Sequence, residues 1–165
     1  MGTTRTGRYL YTYGAKNGVS QYALVHSSEG TFKWSRLRMG GKVVKRIRLA
    51  SGGHGEIGRK LLDKYHIEYK IVKTYPNGVR VGHVTNHDQK QKRTGIGQSW
   101  FPKEWTPRTI RKAGEYVARI HKDKPQPDGV VFKGLYRGVR VCIIRTNGII
   151  GTVFPDCMQP ENRRK

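Results

Sequence analysis

The segment from Gly97 to Pro107, which reads GQSWFPKEWTP, constrains the fold more than any other part of this sequence. It brings three large aromatic side chains close together, Trp100, Phe101 and Trp105, and we expect them in the core rather than on a stacking surface. A threonine and a proline follow in the order typical of a helix N-cap and first turn. Apolar residues then recur at helical spacing from 106 to about 121. The segment therefore predicts a buried aromatic element that leads directly into an amphipathic helix.

Alternating runs of apolar and polar residues on both sides of this helix predict antiparallel strands. The runs cover residues 67–73, 79–84, 130–136, 139–145 and 149–154. Asn77-Gly78 joins the first two runs and Asn147-Gly148 joins the last two, and Asn-Gly is a strong hairpin signal. The final three runs are therefore expected to form a C-terminal three-stranded meander.

The N-terminal third is predicted to be rich in β-structure. Residues 19–49 read as three short strands with turns near 28–30 and 40–41, and residues 56–65 read as a short amphipathic helix. The chain has 165 residues, a length suited to one domain. We expect one α+β domain over 1–165, in which a few helices cover antiparallel sheets. Its parts would be a basic β-rich segment over 1–50 and a catalytic region over 51–157.

The charge balance points to a polyanionic partner. Lysine and arginine total 33 against 11 acidic residues, which gives a net charge of +22. Such an excess favours nucleic acid, with RNA as the expected partner, and Glu29 is the single acid among the first 50 residues. No apolar run approaches the ~20 residues of a spanning helix, and no apolar block of a secretory signal follows the N-terminus. We expect no signal peptide, no membrane insertion and a monomer.

Two histidines have local sequences suited to chemistry on a phosphate. His54 lies in a glycine-rich stretch, where the backbone can approach a ligand closely, and His87 begins a polar basic loop that extends to Gly97. Metal-free cleavage of RNA needs a base for the ribose 2′-hydroxyl, an acid for the leaving oxygen, and a cation for the transition state. Two imidazoles and a lysine can supply these roles. His83 lies only four residues before His87 and stays an alternative for the second histidine.

The sequence offers few residues for a metal or a disulfide framework. Cys142 and Cys157 are too few for a zinc site; a buried thiol at Cys142 is the ordinary outcome, and a disulfide between the two stays open. The 11 acids are not clustered, and only Glu56 and Asp88 lie beside the candidate histidines. We therefore expect neither a metal nor a cofactor, although a metal-dependent nuclease remains an alternative.

Five elements together resemble the bacterial EndoU endoribonucleases and the related coronavirus uridylate-specific endoribonuclease. They are a glycine-flanked histidine, a second histidine, a lysine, a Phe-Pro-x-x-Trp entry to a helix, and a C-terminal strand ending Thr-x-Tyr-Pro. Here they correspond to His54, His87, a lysine assigned to Lys92, residues 101–105 and residues 152–155. The resemblance covers roughly residues 50–157 and implies an EndoU/RNase A-like catalytic fold. The family's tyrosine is replaced by phenylalanine at position 154, which keeps a stacking face but loses the hydroxyl.

The resemblance also implies an activity and a set of roles. His87 would be the base, His54 the acid and Lys92 the transition-state stabiliser. Which histidine plays which role stays open, and Lys90 and Arg93 stay alternatives to Lys92 in the same loop. Thr152 and Phe154 would bind a uridine base, and Lys90 and Arg93 would contact the substrate. The expected product is a 2′,3′-cyclic phosphate. The chain would be a secreted or delivered bacterial toxin that acts in the cytoplasm of a target cell and is countered by an acidic immunity protein. The alternative from another class is a basic RNA-binding module without catalysis.

Overall fold

The computed structural model of the protein describes residues 16–85 and 97–161. The described part is α+β, as predicted. Its helices are α1 (Gln21–Ser28), α2 (Glu56–Lys64) and α3 (Pro107–Ile120). Its strands are β1 (Thr31–Met39), β2 (Lys42–Ser51), β3 (Tyr69–Thr74), β4 (Arg80–Val84), β5 (Gln98–Trp100), β6 (Val131–Tyr136), β7 (Val139–Thr146) and β8 (Ile149–Pro155). None of these helices has both the length and the apolar character needed to span a membrane.

All strand pairs in these two ranges are antiparallel, and they form three separate sheets. The sheets have the orders β1-β2, β3-β4-β5 and β6-β7-β8. The last is the predicted C-terminal meander. Its second hairpin turns at Asn147-Gly148, where both residues have positive φ (53° and 82°), the geometry that the Asn-Gly pair favours.

Helix α3 and the aromatic segment before it form much of the core, as predicted. Thr106 caps the helix by accepting a hydrogen bond from the Thr109 amide, and Pro107 occupies the first turn. Phe101 and Trp105 stack with ring centroids 5.0 Å apart, and Trp100 and Phe101 have no exposed surface. This packing holds the N-terminal end of α3 beside strand β5.

Two apolar clusters lie on either side of the β3-β4-β5 sheet. The larger one joins α1 and α3 to the meander through residues that include Leu24, Val117 and Val153. The smaller one, with Leu62 and Trp100 at its centre, lies under α2 and β2. Strand alternation explains the division, because successive side chains of β5 point to opposite faces of its sheet.

The prediction of a strand at the start of the 19–49 segment is wrong, because Gln21–Ser28 forms helix α1. The Ser20 side chain caps the helix by accepting from the Ala23 amide. The Val153 amide of edge strand β8 donates to the Ser27 hydroxyl at 2.9 Å, inside the core. The helix thus covers the open edge of β8, and the apolar residues that it buries do not recur at helical spacing. The other two strands of this segment, β1 and β2, are present as expected.

The sequence left open whether Cys142 and Cys157 form a disulfide. No disulfide joins Cys142 and Cys157 in the described residues. Cys142 is buried in strand β7, and burial raises the pKa of its thiol to about 12. This thiol is therefore protonated and unreactive at neutral pH.

Candidate active site

His54 is held on a loop that is bonded along its length to the C-terminal end of α1. The amides of Gly53, His54 and Gly55 donate in order to the carbonyls of residues 26, 27 and 28, at 3.0, 2.6 and 3.1 Å. Gly52 and Gly53 have positive φ (73° and 74°), and a Cβ on Gly52 would lie 2.1 Å from the carbonyl oxygen of His26. Glycine is therefore required at position 52 for this approach, and the approach fixes the backbone of His54.

The orientation of the His54 ring is set by strand β5. Its Nδ1 lies 2.8 Å from the carbonyl oxygen of Ser99, and the His54 carbonyl accepts from the Phe101 amide at 2.8 Å. A carbonyl oxygen can only accept, so Nδ1 must carry the proton of this bond. The neutral ring is thus held as the Nδ1–H tautomer. Nε2 is the ring nitrogen that takes up or releases a proton.

The ring of Phe154 lies beside His54 and connects it to strand β8. The two ring centroids are 5.6 Å apart with planes inclined by 35°. Thr152 precedes Phe154 by two residues, so both side chains lie on the same face of the strand. The Ser99 hydroxyl donates to the Pro155 carbonyl at 2.8 Å and ties β5 to the end of β8. The structure therefore brings together His54, Phe154 and the face that carries Thr152.

Two polar residues that position this assembly were missed by sequence reasoning. Gln98 is buried, and its amide Nε2 donates to the carbonyls of Gly52 and Gly53 at 3.1 and 3.2 Å. Ser99 is also buried, and it contacts the site at two atoms, its carbonyl to His54 and its hydroxyl to Pro155. The available signal was two polar residues immediately before an aromatic run, which is unusual for buried positions unless both are hydrogen-bonded.

Glu56, the acid nearest to His54 in sequence, belongs to an ion-pair network. Its carboxylate accepts from Arg59 at 2.6 Å and from Arg80 at 2.7 Å, and Arg80 also donates to the Phe101 carbonyl at 2.5 Å. Burial of the Glu56 carboxyl opposes ionisation, but the bonds from both arginines outweigh it and lower its pKa overall. The network anchors the start of α2 to β4. It places Glu56 in a structural role.

Of the other candidate residues, His83 is described and the rest are not. His83 lies in β4, half-buried, on the face of the sheet shared with Val81 and Ser99, and the Ser99 hydroxyl points from this face to the end of β8. It therefore remains an alternative second histidine. The predicted residues of the basic loop lie outside the described residues; they are His87, Lys90, Lys92 and Arg93.

The remaining described histidines make local contacts. His26 Nδ1 lies 2.9 Å from the Thr31 hydroxyl, and burial lowers its pKa. His121 caps α3 and contacts the Lys133 carbonyl at 2.7 Å. His66 is exposed and has a positive φ of 57°. Across 16–85 and 97–161, no three His, Cys, Asp or Glu side chains are grouped as a metal would require.

Comparison with known proteins identifies the family. A family model described as bacterial EndoU nuclease matches residues 9–157, and the chain belongs to this family. The protein is accordingly a nuclease of the EndoU type. Neither a search of curated proteins nor a search of solved structures returned a match.

Proposed function

We propose that this EndoU-family nuclease cleaves single-stranded RNA without a metal, using the substrate's own 2′-hydroxyl as nucleophile and leaving a 2′,3′-cyclic phosphate. The observation that carries the proposal is the His54–Phe154 pair. A histidine with Nδ1 fixed by a backbone carbonyl presents Nε2 for proton transfer, beside a ring on which a base can stack. This combination suits a phosphodiester next to an unpaired base.

In the proposed mechanism, His87 removes the proton of the 2′-hydroxyl and His54 protonates the leaving 5′-oxygen. The 2′-oxygen forms a bond to phosphorus as the bond from phosphorus to the 5′-oxygen breaks. Lys92 supplies positive charge to the non-bridging oxygens in the transition state. His83 would replace His87 as the base if the loop residue does not reach the phosphate. Each proton-transfer role is worth about 10² to 10⁴ in rate.

Thr152 and Phe154 are the proposed base-binding residues, with a preference for uridine. Phe154 would stack on the base, and the hydroxyl and backbone of Thr152 would bond its edge. Stacking tolerates any base, so discrimination would come from Thr152. Lys90 and Arg93 would contact neighbouring phosphates.

The β1–β2 hairpin is the proposed binding surface for the RNA backbone. Its cations are Lys33, Arg36, Arg38, Lys42, Lys45, Arg46 and Arg48. Trp34 is 67 % exposed and lies on the same face as Arg36 and, across the pair, Lys45. Exposed aromatic and cationic side chains together suit a single strand of nucleic acid.

We propose, from the family resemblance and this charge, that the protein is a delivered bacterial toxin that acts in the target-cell cytoplasm and is neutralised by an acidic immunity protein.

The test separates an enzyme from a binding module. His54→Ala should lower the cleavage rate by about 10² or more, because it deletes one proton-transfer role, while RNA affinity in a gel shift barely changes. His66→Asn is the matched control, since His66 is an exposed histidine and asparagine tolerates its positive φ. Equal loss of cleavage and binding in the His54 variant, or retained cleavage, would contradict the assignment.

A further inference from the structure

An open pocket lies beside the candidate active site, between α1 and the strands β7 and β8. Its volume is ≈ 320 Å³, within the range of small-ligand sites. Its walls come from one face of α1 and from the hairpin that joins β7 to β8. The residues used below are Tyr22, His26, Thr146, Asn147 and Thr152. Thr152 belongs both to this pocket and to the strand face that carries Phe154, about 7 Å further along β8. The pocket therefore adjoins the candidate site at Thr152.

Tyr22 lies at the rim of the pocket and is unusually exposed for an aromatic residue. Its side chain is 80 % exposed, the highest exposure among the large hydrophobic residues of the described chain. His26 follows one helical turn later, so both rings lie on the same face of α1 and border the same space. An exposed aromatic ring at the edge of a pocket suits stacking on a flat, apolar-faced group.

The chemistry of the pocket favours a base over a phosphate. None of the described residues that line it carries a formal charge. Burial lowers the pKa of His26, so its imidazole is neutral at pH 7 and can exchange hydrogen bonds without adding positive charge. The hydroxyl of Thr146 and the amide of Asn147 are further neutral partners. A separate, basic pocket lies just beyond the hairpin turn, bordered by Gly148, and suits the phosphates of an RNA strand.

That basic pocket is lined by Lys16, Lys122, Lys124 and Arg145. The two pockets meet at the turn, since Asn147 borders the neutral one and Gly148 the basic one. A neutral, aromatic-rimmed pocket between a candidate scissile site and a lysine cluster matches the alternation of bases and phosphates along an RNA strand.

We infer that the pocket between α1 and β8 is a second nucleobase subsite, in which Tyr22 stacks on a base that neighbours the scissile nucleotide. The inference rests on the proposed function, because it takes single-stranded RNA as the substrate. It makes Tyr22 a substrate-binding residue outside the reacting groups. Longer RNAs would gain binding that a single nucleotide cannot.

The test compares a substrate that reaches the pocket with one that does not. The long substrate is a hexanucleotide whose only ribonucleotide is a central uridine; the short one is uridine 3′-(4-nitrophenyl phosphate), which has a single base. Tyr22→Ala should lower kcat/KM for the hexanucleotide about tenfold, the usual effect of losing a stacked base, and leave the short substrate unchanged. Tyr22→Phe keeps the ring and should match the wild type. Val25→Ala, which changes an exposed residue of the same helix outside the pocket lining, is the matched control.

A set of hexanucleotides, each without the base at one position, identifies the base that occupies the pocket. When the missing base is the one that stacks on Tyr22, wild type and Tyr22→Ala should have equal kcat/KM for that strand. Binding of the hexanucleotide with 2′-deoxyuridine at the centre is measured in parallel, so the subsite is tested even if no cleavage occurs. Absent cleavage would overturn the proposed function, whereas equal binding and kcat/KM in wild type and Tyr22→Ala would overturn the subsite. An equal loss on both substrates would also overturn it.

Discussion

The position of His54 depends on the absence of a side chain at Gly52, and replacing that glycine by alanine tests this dependence. Residue 52 has a φ of +73°, which disfavours an L-residue by about 1–2 kcal/mol. The added Cβ would also lie 2.1 Å from the His26 carbonyl oxygen, so the two must separate by about 1 Å. The same carbonyl accepts the Gly53 amide at 3.0 Å, and loss of that bond adds about 1 kcal/mol. We expect a total destabilisation of about 2–3 kcal/mol.

The same displacement should impair the chemistry. The loop carries His54, and a shift of ~1 Å in a catalytic group can lower the rate by up to about 10². Urea denaturation measures the change in unfolding free energy, and cleavage of a uridine-containing oligonucleotide measures the change in kcat. The cleavage assay is run on folded protein, in conditions well below the unfolding transition, so loss of activity is not loss of structure.

Gly129→Ala is the matched control for backbone strain. Gly129 has a φ of +79°, and an added Cβ would meet no atom within 4 Å. This variant should show the conformational penalty alone, with unchanged kcat. If Gly52→Ala and Gly129→Ala gave the same unfolding free energy and the same kcat, the account of the His54 loop would be refuted.

The Glu56 network gives two further expectations. Arg80→Ala should lower the unfolding free energy by about 3 kcal/mol, because Arg80 is only 8 % exposed and its removal leaves the Glu56 carboxylate and the Phe101 carbonyl without this donor. Lys73→Ala removes an exposed ion pair and should scarcely change the unfolding free energy. The pKa of Glu56 is lower in the folded than in the unfolded state, so its stabilisation is complete above about pH 4.3 and is lost as pH falls through the folded value. Denaturation midpoints from pH 7 to pH 3 should therefore fall less steeply in Glu56→Gln.

The sequence predicted the elements whose signals are local. The N-cap and first-turn proline of α3 act within a few residues, and so does the Asn147-Gly148 turn, where both residues adopt the required positive φ. The aromatic residues of 100–105 were correctly assigned to the core because each is too large to leave exposed in a row. Such features need no knowledge of distant contacts.

Elements that depend on distant partners were missed. Helix α1 has no apolar stripe at helical spacing, and its buried face is defined by the edge of β8, more than 120 residues later. Strand β5 is three residues long, and its role comes from bonds to Gly52, His54 and Pro155. A glycine-flanked histidine could be recognised from sequence, but the carbonyl that orients its ring could not. That partner lies 45 residues away in the chain.

The most direct test of the central claim replaces the ribose at the scissile uridine by deoxyribose and incubates the strand with the protein in chelator. This change removes the proposed nucleophile and leaves the phosphates and bases in place. We expect the all-ribose strand to be cut to a 2′,3′-cyclic phosphate end. The deoxy-substituted strand should stay intact at that position and inhibit competitively. Cleavage of the deoxy-substituted strand, or products with a 5′-phosphate that require added metal, would contradict the account, because both assign the attack to an activated water.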